Sequence, residues 1–252
     1  MACEGQDNNR TVENLINGFK LVQSDRHCRL GMDAVLLSAF LSPSKTESVC
    51  DLGCGIGAVS ILLAARYPKA RIDGVEIQPE AASLFRENII LNRLGDRVRC
   101  FNADLRRLDG ILPAGSYTAV VSNPPYFQQG RGEQSPSREK RIERSDAEAD
   151  FDAVCGASAR LLKNGGELTV VCRSERLCDI MASMRHAGIE PKRLKFVHNT
   201  AQAQSKLMLI SGRKNSGPGL KIDRPMIIRR EDGAFSDEYL KAYRGECLQS
   251  LV

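Results

Sequence analysis

With 252 residues, 42% of them hydrophobic, the chain is long enough to bury a full core as one large domain with extensions. Its net charge of +5 is mild, no apolar run approaches the roughly 18 residues that a membrane span needs, and Met1-Ala2-Cys3-Glu4-Gly5-Gln6-Asp7 lacks a signal-peptide pattern. A membrane protein is thereby excluded and a cytoplasmic one expected. Nine cysteines do not read as a disulfide framework, because Cys50, Cys54, Cys100 and Cys172 lie in apolar runs or a glycine-rich loop, where buried thiols are common. Only three histidines occur, none beside a Cys-x-x-Cys, so no metal site is expected. A monomer is the favoured state.

From Val49 onward short apolar runs alternate with longer helical periods, which predicts an α/β chain with a mostly parallel sheet covered by helices. Ser48-Val49-Cys50-Asp51 reads as a strand feeding a helix over 58–65. Arg71 to Glu76 reads as the next strand, and Pro79 suits the first position of a helix reaching about Asn92. Val98 to Phe101 forms a third strand, ending at Asn102-Ala103-Asp104, and Tyr117 to Ser122 a fourth. The polar, charged stretch from Gln128 to Asp146 reads as a mobile loop. A helix from about Phe151 to Leu162, a turn at Lys163-Asn164-Gly165-Gly166, a strand from Glu167 to Cys172 and a helix to about His186 follow. Two last strands, Lys192 to Val197 and Lys206 to Ile210, are close enough in sequence to pair as a hairpin.

The fourth strand runs into Asn123-Pro124-Pro125-Tyr126. In isolation this is also an ordinary turn sequence. As a socket it suits a planar group bearing an amine, whose lone pair is delocalised and which is therefore a poor nucleophile. The Asn123 side-chain oxygen and the Pro124 carbonyl can each accept one N–H, favouring positive charge on the attacking nitrogen. The Tyr126 ring can stack on the group, and the two prolines aim the acceptors in advance. A socket at the C-terminal end of a strand is where open α/β sheets bind ligands.

Between the first strand and its helix stands Asp51-Leu52-Gly53-Cys54-Gly55-Ile56-Gly57, whose glycines let the backbone approach a ligand closely. With Glu76 placed to bind ribose hydroxyls, Gly53, Gly55 and Ala58 also satisfy a dinucleotide fingerprint, so a dehydrogenase competes on this segment. Asp104, placed to accept from an adenine amino group, and the Asn-Pro-Pro-Tyr socket weigh against it, since hydride transfer needs neither. Positive residues cluster as Arg131, Arg138, Lys140, Arg141 and Arg144, and again as Arg213, Lys214, Lys221, Arg224, Arg229 and Arg230. Such clusters suit a phosphate backbone, although glutamates interleave the first.

In order and spacing, the Asp51 to Gly57 loop, Glu76, Asp104 and Asn123 to Tyr126 resemble the successive motifs of class I S-adenosylmethionine-dependent methyltransferases. The resemblance implies a Rossmann-like fold with a seven-stranded, mostly parallel sheet, helices on both faces and a C-terminal β-hairpin. It implies that Gly53 and Gly55 line the methionine part of the cofactor, that Glu76 holds the ribose hydroxyls, and that Asp104 with the Ala103 backbone reads the adenine. Asp51 would fix the loop or meet the cofactor's amino end through water. Upstream, Gln23 and Arg29 to Phe40 resemble bacterial tRNA adenine-N6 methyltransferases that modify the adenosine 3′ of the anticodon of a valine tRNA. By that likeness Asp33 sits near the methionine end. Ser211 to Lys214, Gly217 to Leu220 and Glu231 to Tyr239 resemble that family's C-terminal extension. Residues 1–44 then form an N-terminal extension and cofactor-site helix, 45–212 the methyltransferase core and 213–252 a basic extension packed on it, within one domain. One departure stands after the socket, where Ile142-Glu143-Arg144-Ser145-Asp146 replaces an Ala-Arg-His-Glu-like stretch and Arg144 matches the family's Arg.

The leading expectation is methyl transfer from S-adenosylmethionine to N6 of an adenine in tRNA. Catalysis would come from alignment and polarisation by Asn123 and Pro124, with the adenine unstacked onto Tyr126 and Phe127 and bounded by Pro125, and with Arg144 on the RNA. Methylation of a protein glutamine in a release factor would use the same socket, but such enzymes carry a longer helical N-terminal domain. DNA adenine methylation lacks a visible sequence-reading domain, and intact site motifs weigh against an RNA-binding protein with a vestigial cofactor site.

Overall fold

The computed structural model describes residues 10–24, 30–124 and 151–248. An antiparallel hairpin comes first, β1 (Arg10–Asn14) with β2 (Lys20–Ser24). It is followed by α1 (Met32–Phe40), β3 (Ser48–Leu52), α2 (Ala58–Arg66), β4 (Arg71–Glu76), α3 (Pro79–Leu91), β5 (Val98–Asn102) and β6 (Tyr117–Ser122). A helix α4, described over 151–161, leads to β7 (Leu162–Arg173), α5 (Leu177–His186), β8 (Ile189–His198) and β9 (Leu207–Lys214). The short strands β10 (Lys221–Ile222) and β11 (Met226–Ile227) and the helix α6 (Asp237–Tyr243) close the chain. The stretch from Gln128 to Asp146, read from sequence as a loop, lies outside the described residues.

The main sheet runs β10-β8-β9-β7-β6-β3-β4-β5, with β11 also pairing to β8. Strands β3 to β7 are parallel, and β9 lies antiparallel between β7 and β8, which forms the expected C-terminal hairpin. The seven expected strands are β3 to β9, and β10 and β11 add to them along the β8 edge to make a nine-stranded sheet. The two extra strands are two residues each, too short to carry an alternating pattern in the sequence. The turn expected at Lys163 to Gly166 is instead a bulge at the start of β7. Pairing with β6 jumps there from Tyr117 with Leu162 to Ala119 with Glu167, and Gly165 takes φ +71°.

This order places β3 at a switch point. From β3 the chain builds outward through β4 to β5, then returns to lay β6 on the other side of β3. The loops leaving β3 and β6 therefore diverge and open a crevice at adjoining strand ends. Alternation along β3 supplies both faces of the core: Val49 packs with α1, α2 and α3, while Cys50 and Leu52 pack with α4 and α5. Each fully buried aliphatic side chain contributes about 1.5–3 kcal/mol.

On the α1–α3 face, the fully buried Phe85 of α3 fills space left by two missing side chains. A Cβ on Gly74 would lie 2.4 Å from Phe85 Cε1 and 2.8 Å from Cys54 Sγ, and one on Gly57 would lie 1.9 Å from Phe85 Cδ2. The glycines thus permit α3 to lie close against β4 and the loop after β3. The C-terminal extension is held by one buried and two half-buried cations. Arg66 Nη1 donates to Glu246 O (2.9 Å), and its Nη2 to Ala242 O. Arg193 lies 4.0 Å from the Phe40 ring centroid and donates to Leu248 O (2.6 Å), while Lys195 pairs with Glu238 (2.8 Å).

Gly74→Ala is expected to cost about 1–3 kcal/mol through overpacking against Phe85. The loss reads as a lower urea midpoint at unchanged slope, and Phe85→Leu in the same chain restores part of it. A single variant with the wild-type midpoint would contradict this packing.

Candidate active site

The loop after β3 turns sharply because Gly53, Gly55 and Gly57 all take positive φ (+71°, +55° and +84°). Its first amides, Gly53 N and Cys54 N, donate to Val75 O at 2.9 and 3.0 Å, folding the loop over the end of β4. Above Gly53 and Gly55 the space is open, with no atom within 4 Å of where a Cβ would stand. Beside this cradle Glu76, 7% exposed, accepts from Gly55 N through Oε2 and from Gln78 N through Oε1, both at 2.8 Å. Each carboxylate oxygen retains a lone pair for a further donor.

Asp51 lies beneath the loop, 1% exposed, and accepts from Ser60 Oγ of α2 at 2.7 Å. Burial pushes its carboxyl from the ordinary 3.8 up to about 7, the Ser60 hydroxyl works in the opposite sense, and the Glu76 charge adds to the rise. Asp51 therefore braces the loop against α2.

Two asparagines, Asn88 within α3 and Asn92 at its C-terminal cap, complete the brace, and the sequence reading missed both. Asn88, fully buried, donates through Nδ2 to Val22 O and to Ile56 O of the loop (3.0 Å each), and accepts from Val22 N (2.7 Å). Asn92, one turn on, pairs likewise with Lys20 N (2.8 Å) and Lys20 O (2.7 Å). Side-chain amides at i and i+4 of the helix thus satisfy residues i and i+2 of β2, replacing a neighbouring strand. From β2, Gln23 Oε1 accepts from Leu30 N (2.8 Å) and fixes the approach to α1, whose first turn carries Asp33.

At the end of β5, Ala103 N donates to Glu76 O (3.0 Å), so its amide is already engaged within the sheet end. Asn102 Nδ2 donates to Glu76 O (2.8 Å) and Ile77 O (3.1 Å), fixing the turn that presents Ile77, 56% exposed. An apolar side chain so exposed beside Glu76 offers a wall for a base, a signal visible only once burial is known. Asp104 is held by Arg106, whose Nε and Nη2 reach its carboxylate at 2.9 and 2.8 Å and keep it below the usual carboxylate range. An adenine amino group would share or displace this exposed pair, at a cost of about 0–1 kcal/mol.

Across the crevice, β6 is locked to β3 where Ser122, paired with Leu52, donates Oγ to Leu52 O (2.9 Å). The next residue is Asn123. Its Oδ1 is buried and has no hydrogen-bond partner among the described residues. Pro124 follows, while Pro125, Tyr126, Phe127 and Arg144 lie outside the described residues. The structure therefore brings Asp51, Gly53, Gly55, Glu76, Ala103, Asp104 and Asn123 to one end of four adjoining strands.

The sequence model of the family described as "Methyltransferase small domain" matches residues 26–186, which include the glycine loop, Glu76, Asp104 and Asn123. The chain belongs to this family. It is an S-adenosylmethionine-dependent methyltransferase. Among similar curated proteins is a tRNA1(Val) (adenine(37)-N6)-methyltransferase of Porphyromonas gingivalis, 27% identical over 234 residues that cover 88% of this chain and 90% of that protein. A protein of the same name from Tolumonas auensis is 26% identical over 224 residues, covering 88% and 91%. A solved structure from Agrobacterium tumefaciens, described as a predicted O-methyltransferase, superposes with a TM-score of 0.72 at 22% identity, covering 86% of this chain and 98% of that one. The residues of the methyltransferase suit its cofactor: an open glycine cradle, a carboxylate with lone pairs to spare, an exposed apolar wall and, across the crevice, a buried oxygen with no partner among the described residues.

Because the folded value of Asp51 lies above the unfolded one, the folded chain binds the extra proton between about pH 4 and 7, and this residue's contribution to stability falls as pH rises through that window. Asp51→Asn is therefore expected to melt higher than wild type at pH 8, by a margin that shrinks towards pH 5. A margin independent of pH in thermal unfolding would contradict the buried charge.

Proposed function

We propose that this methyltransferase acts on N6 of an adenine in tRNA, the adenosine 3′ of the anticodon (position 37) of a valine tRNA. The observation that supports the reading is the buried Asn123 Oδ1 beside the glycine cradle, an acceptor with no donor among the described residues, at the place where the reacting amine would stand. The names of the relatives from Porphyromonas gingivalis and Tolumonas auensis supply the tRNA and the position.

The cofactor, when bound, supplies a methyl group activated by a sulfonium leaving group. Gly53 and Gly55 admit its methionine part, with Asp33 near that end and Asp51 holding the loop. Glu76 accepts from the ribose hydroxyls, and Asp104 with Ala103 meets the adenine of the cofactor against Ile77. On the substrate side, Asn123 Oδ1 and the Pro124 carbonyl accept the two N–H groups of the target amine. They hold its lone pair in line and favour the positive charge that develops on attack, and the proton leaves afterwards. The target base is unstacked from its loop; Tyr126 and Phe127 replace the lost stacking, Pro125 restricts the backbone that leads into them, and Arg144 contacts the RNA. A side-chain amide of glutamine would fit the same two acceptors, which makes a protein substrate the reading to test against.

Incubation of labelled S-adenosylmethionine with unmodified total tRNA, followed by nucleoside analysis, is expected to yield N6-methyladenosine. Asn123→Ala removes the product while S-adenosylhomocysteine still binds by calorimetry. Tyr126→Ala weakens transfer about ten- to a hundredfold through the lost stack. Label in a release factor and none in tRNA would move the socket to glutamine.

A further inference from the structure

The cations of the C-terminal third form one cluster in sequence, but the sheet divides them. Arg213 and Lys214 end β9, where Arg213 is level with Glu167 and Lys214 with Ile189, and Lys214 Nζ donates to Leu162 O (2.8 Å) at the start of β7. That is the end of the sheet opposite Asn123. Lys206 immediately precedes β9 at the other end, where Leu207 is level with Arg173 and Val197. Strand β11 runs parallel to β8, and Arg229 N carries the pairing on to Asn199 O (2.8 Å), past the last residue of β8. Lys206 and Arg229 thus stand at the same end of the sheet as Asn123. Strand spacing puts β9 about 10 Å and β11 about 19 Å from β6, two and four steps across the sheet.

Both side chains are exposed, and neither pairs with a carboxylate among the described residues. Their neighbours are already compensated, Arg230 by Asp232 at 3.2 Å and Arg173 by Glu175 at 3.8 Å. Arg229 is also held in place. Its guanidinium lies 4.3 Å from the Phe235 ring centroid, and Nη1 donates to Gly233 O (2.9 Å). The turn beneath it is closed by the Arg229 and Phe235 bridge, by Arg230 N to Ala234 O (2.8 Å), and by Ala234 N to Asp232 Oδ1 (3.0 Å). A planar cation fixed in this way keeps further N–H donors for an anion and loses little freedom on binding. Phe235, 38% exposed, adds a face for an unpaired base.

Resting on the tRNA reading above, we propose that Lys206, Arg229 and Phe235 form the shelf that receives the tRNA backbone outside the pocket, and that Arg213, at the opposite end of the sheet, and Lys221, level with Arg193 within β8, take no part. A base held at Asn123 leaves its flanking backbone to run over the ends of β7, β9, β8 and β11, where these two uncompensated cations meet phosphates.

The test compares two doubly reversed variants of the full chain with equal change in charge. Lys206→Glu with Arg229→Glu is expected to raise KM for unmodified tRNA by about tenfold or more, with S-adenosylhomocysteine affinity and melting temperature kept. Arg213→Glu with Lys221→Glu leaves KM within about twofold. The milder pair Lys206→Gln with Arg229→Gln lowers the slope of log KM against log salt by about 1.5, the value for two lost phosphate contacts. Equal losses in both reversed variants, or none in the first, overturn the shelf while wild-type transfer to tRNA upholds the substrate. No transfer to tRNA by wild type overturns the substrate and the shelf with it.

Discussion

The site depends on how closely α3 approaches the sheet. Phe85 occupies the space that side chains at Gly57 and Gly74 would fill, so one ring sets the distance between α3, β4 and the loop after β3. One turn further along the same helix, Asn88 then reaches Ile56 O from one side and Val22 from the other. Were α3 displaced outward by even the width of a methyl group, these bonds would lengthen past their useful range. Apolar packing, which has no directional preference, thereby fixes a polar brace, which has a strong one.

The brace holds a loop that local energetics oppose. Asp51 is buried with its charge disfavoured, and Glu76 spends its carboxylate on the amides of Gly55 and Gln78. Across the crevice, the buried Asn123 Oδ1 has no hydrogen-bond partner among the described residues, and a buried acceptor left in that state costs about 1–3 kcal/mol. Such features persist where they serve a ligand, and the surrounding sheet offsets them. The arrangement is asymmetric: the carboxylates of Asp51, Glu76 and Asp104 stand at the ends of β3, β4 and β5, and the neutral amide of Asn123 follows β6.

Much of this was legible in the sequence. Strands such as Val49 to Asp51 and Tyr117 to Ser122 announce themselves by apolar, β-rich runs, and Pro79 marks the start of α3. The glycine loop, Glu76, Asp104 and Asn123 are recognisable because backbone conformation and chemistry both restrict what can stand there. The hairpin of β1 and β2 was not legible: every residue of β1 is exposed, so it carries no alternation, and its partner strand is held by Asn88 and Asn92. Asn88 sits inside a helix that its intrinsic preference does not favour, Asn92 caps that helix, and three-dimensional contact explains their pairing with β2. Ile77 and the division of the C-terminal cations were hidden for a related reason, since burial and strand direction are not written in composition.

The most direct test is calorimetric titration of S-adenosylhomocysteine into wild type, Asn88→Ala and Asn92→Ala. Both variants loosen β2 from α3, but only Asn88 also holds the carbonyl of Ile56. If α3 shapes the cofactor loop through this bond, Asn88→Ala binds about tenfold more weakly while remaining folded by circular dichroism, and Asn92→Ala binds as wild type. Unchanged affinity in a folded Asn88→Ala chain would contradict the account.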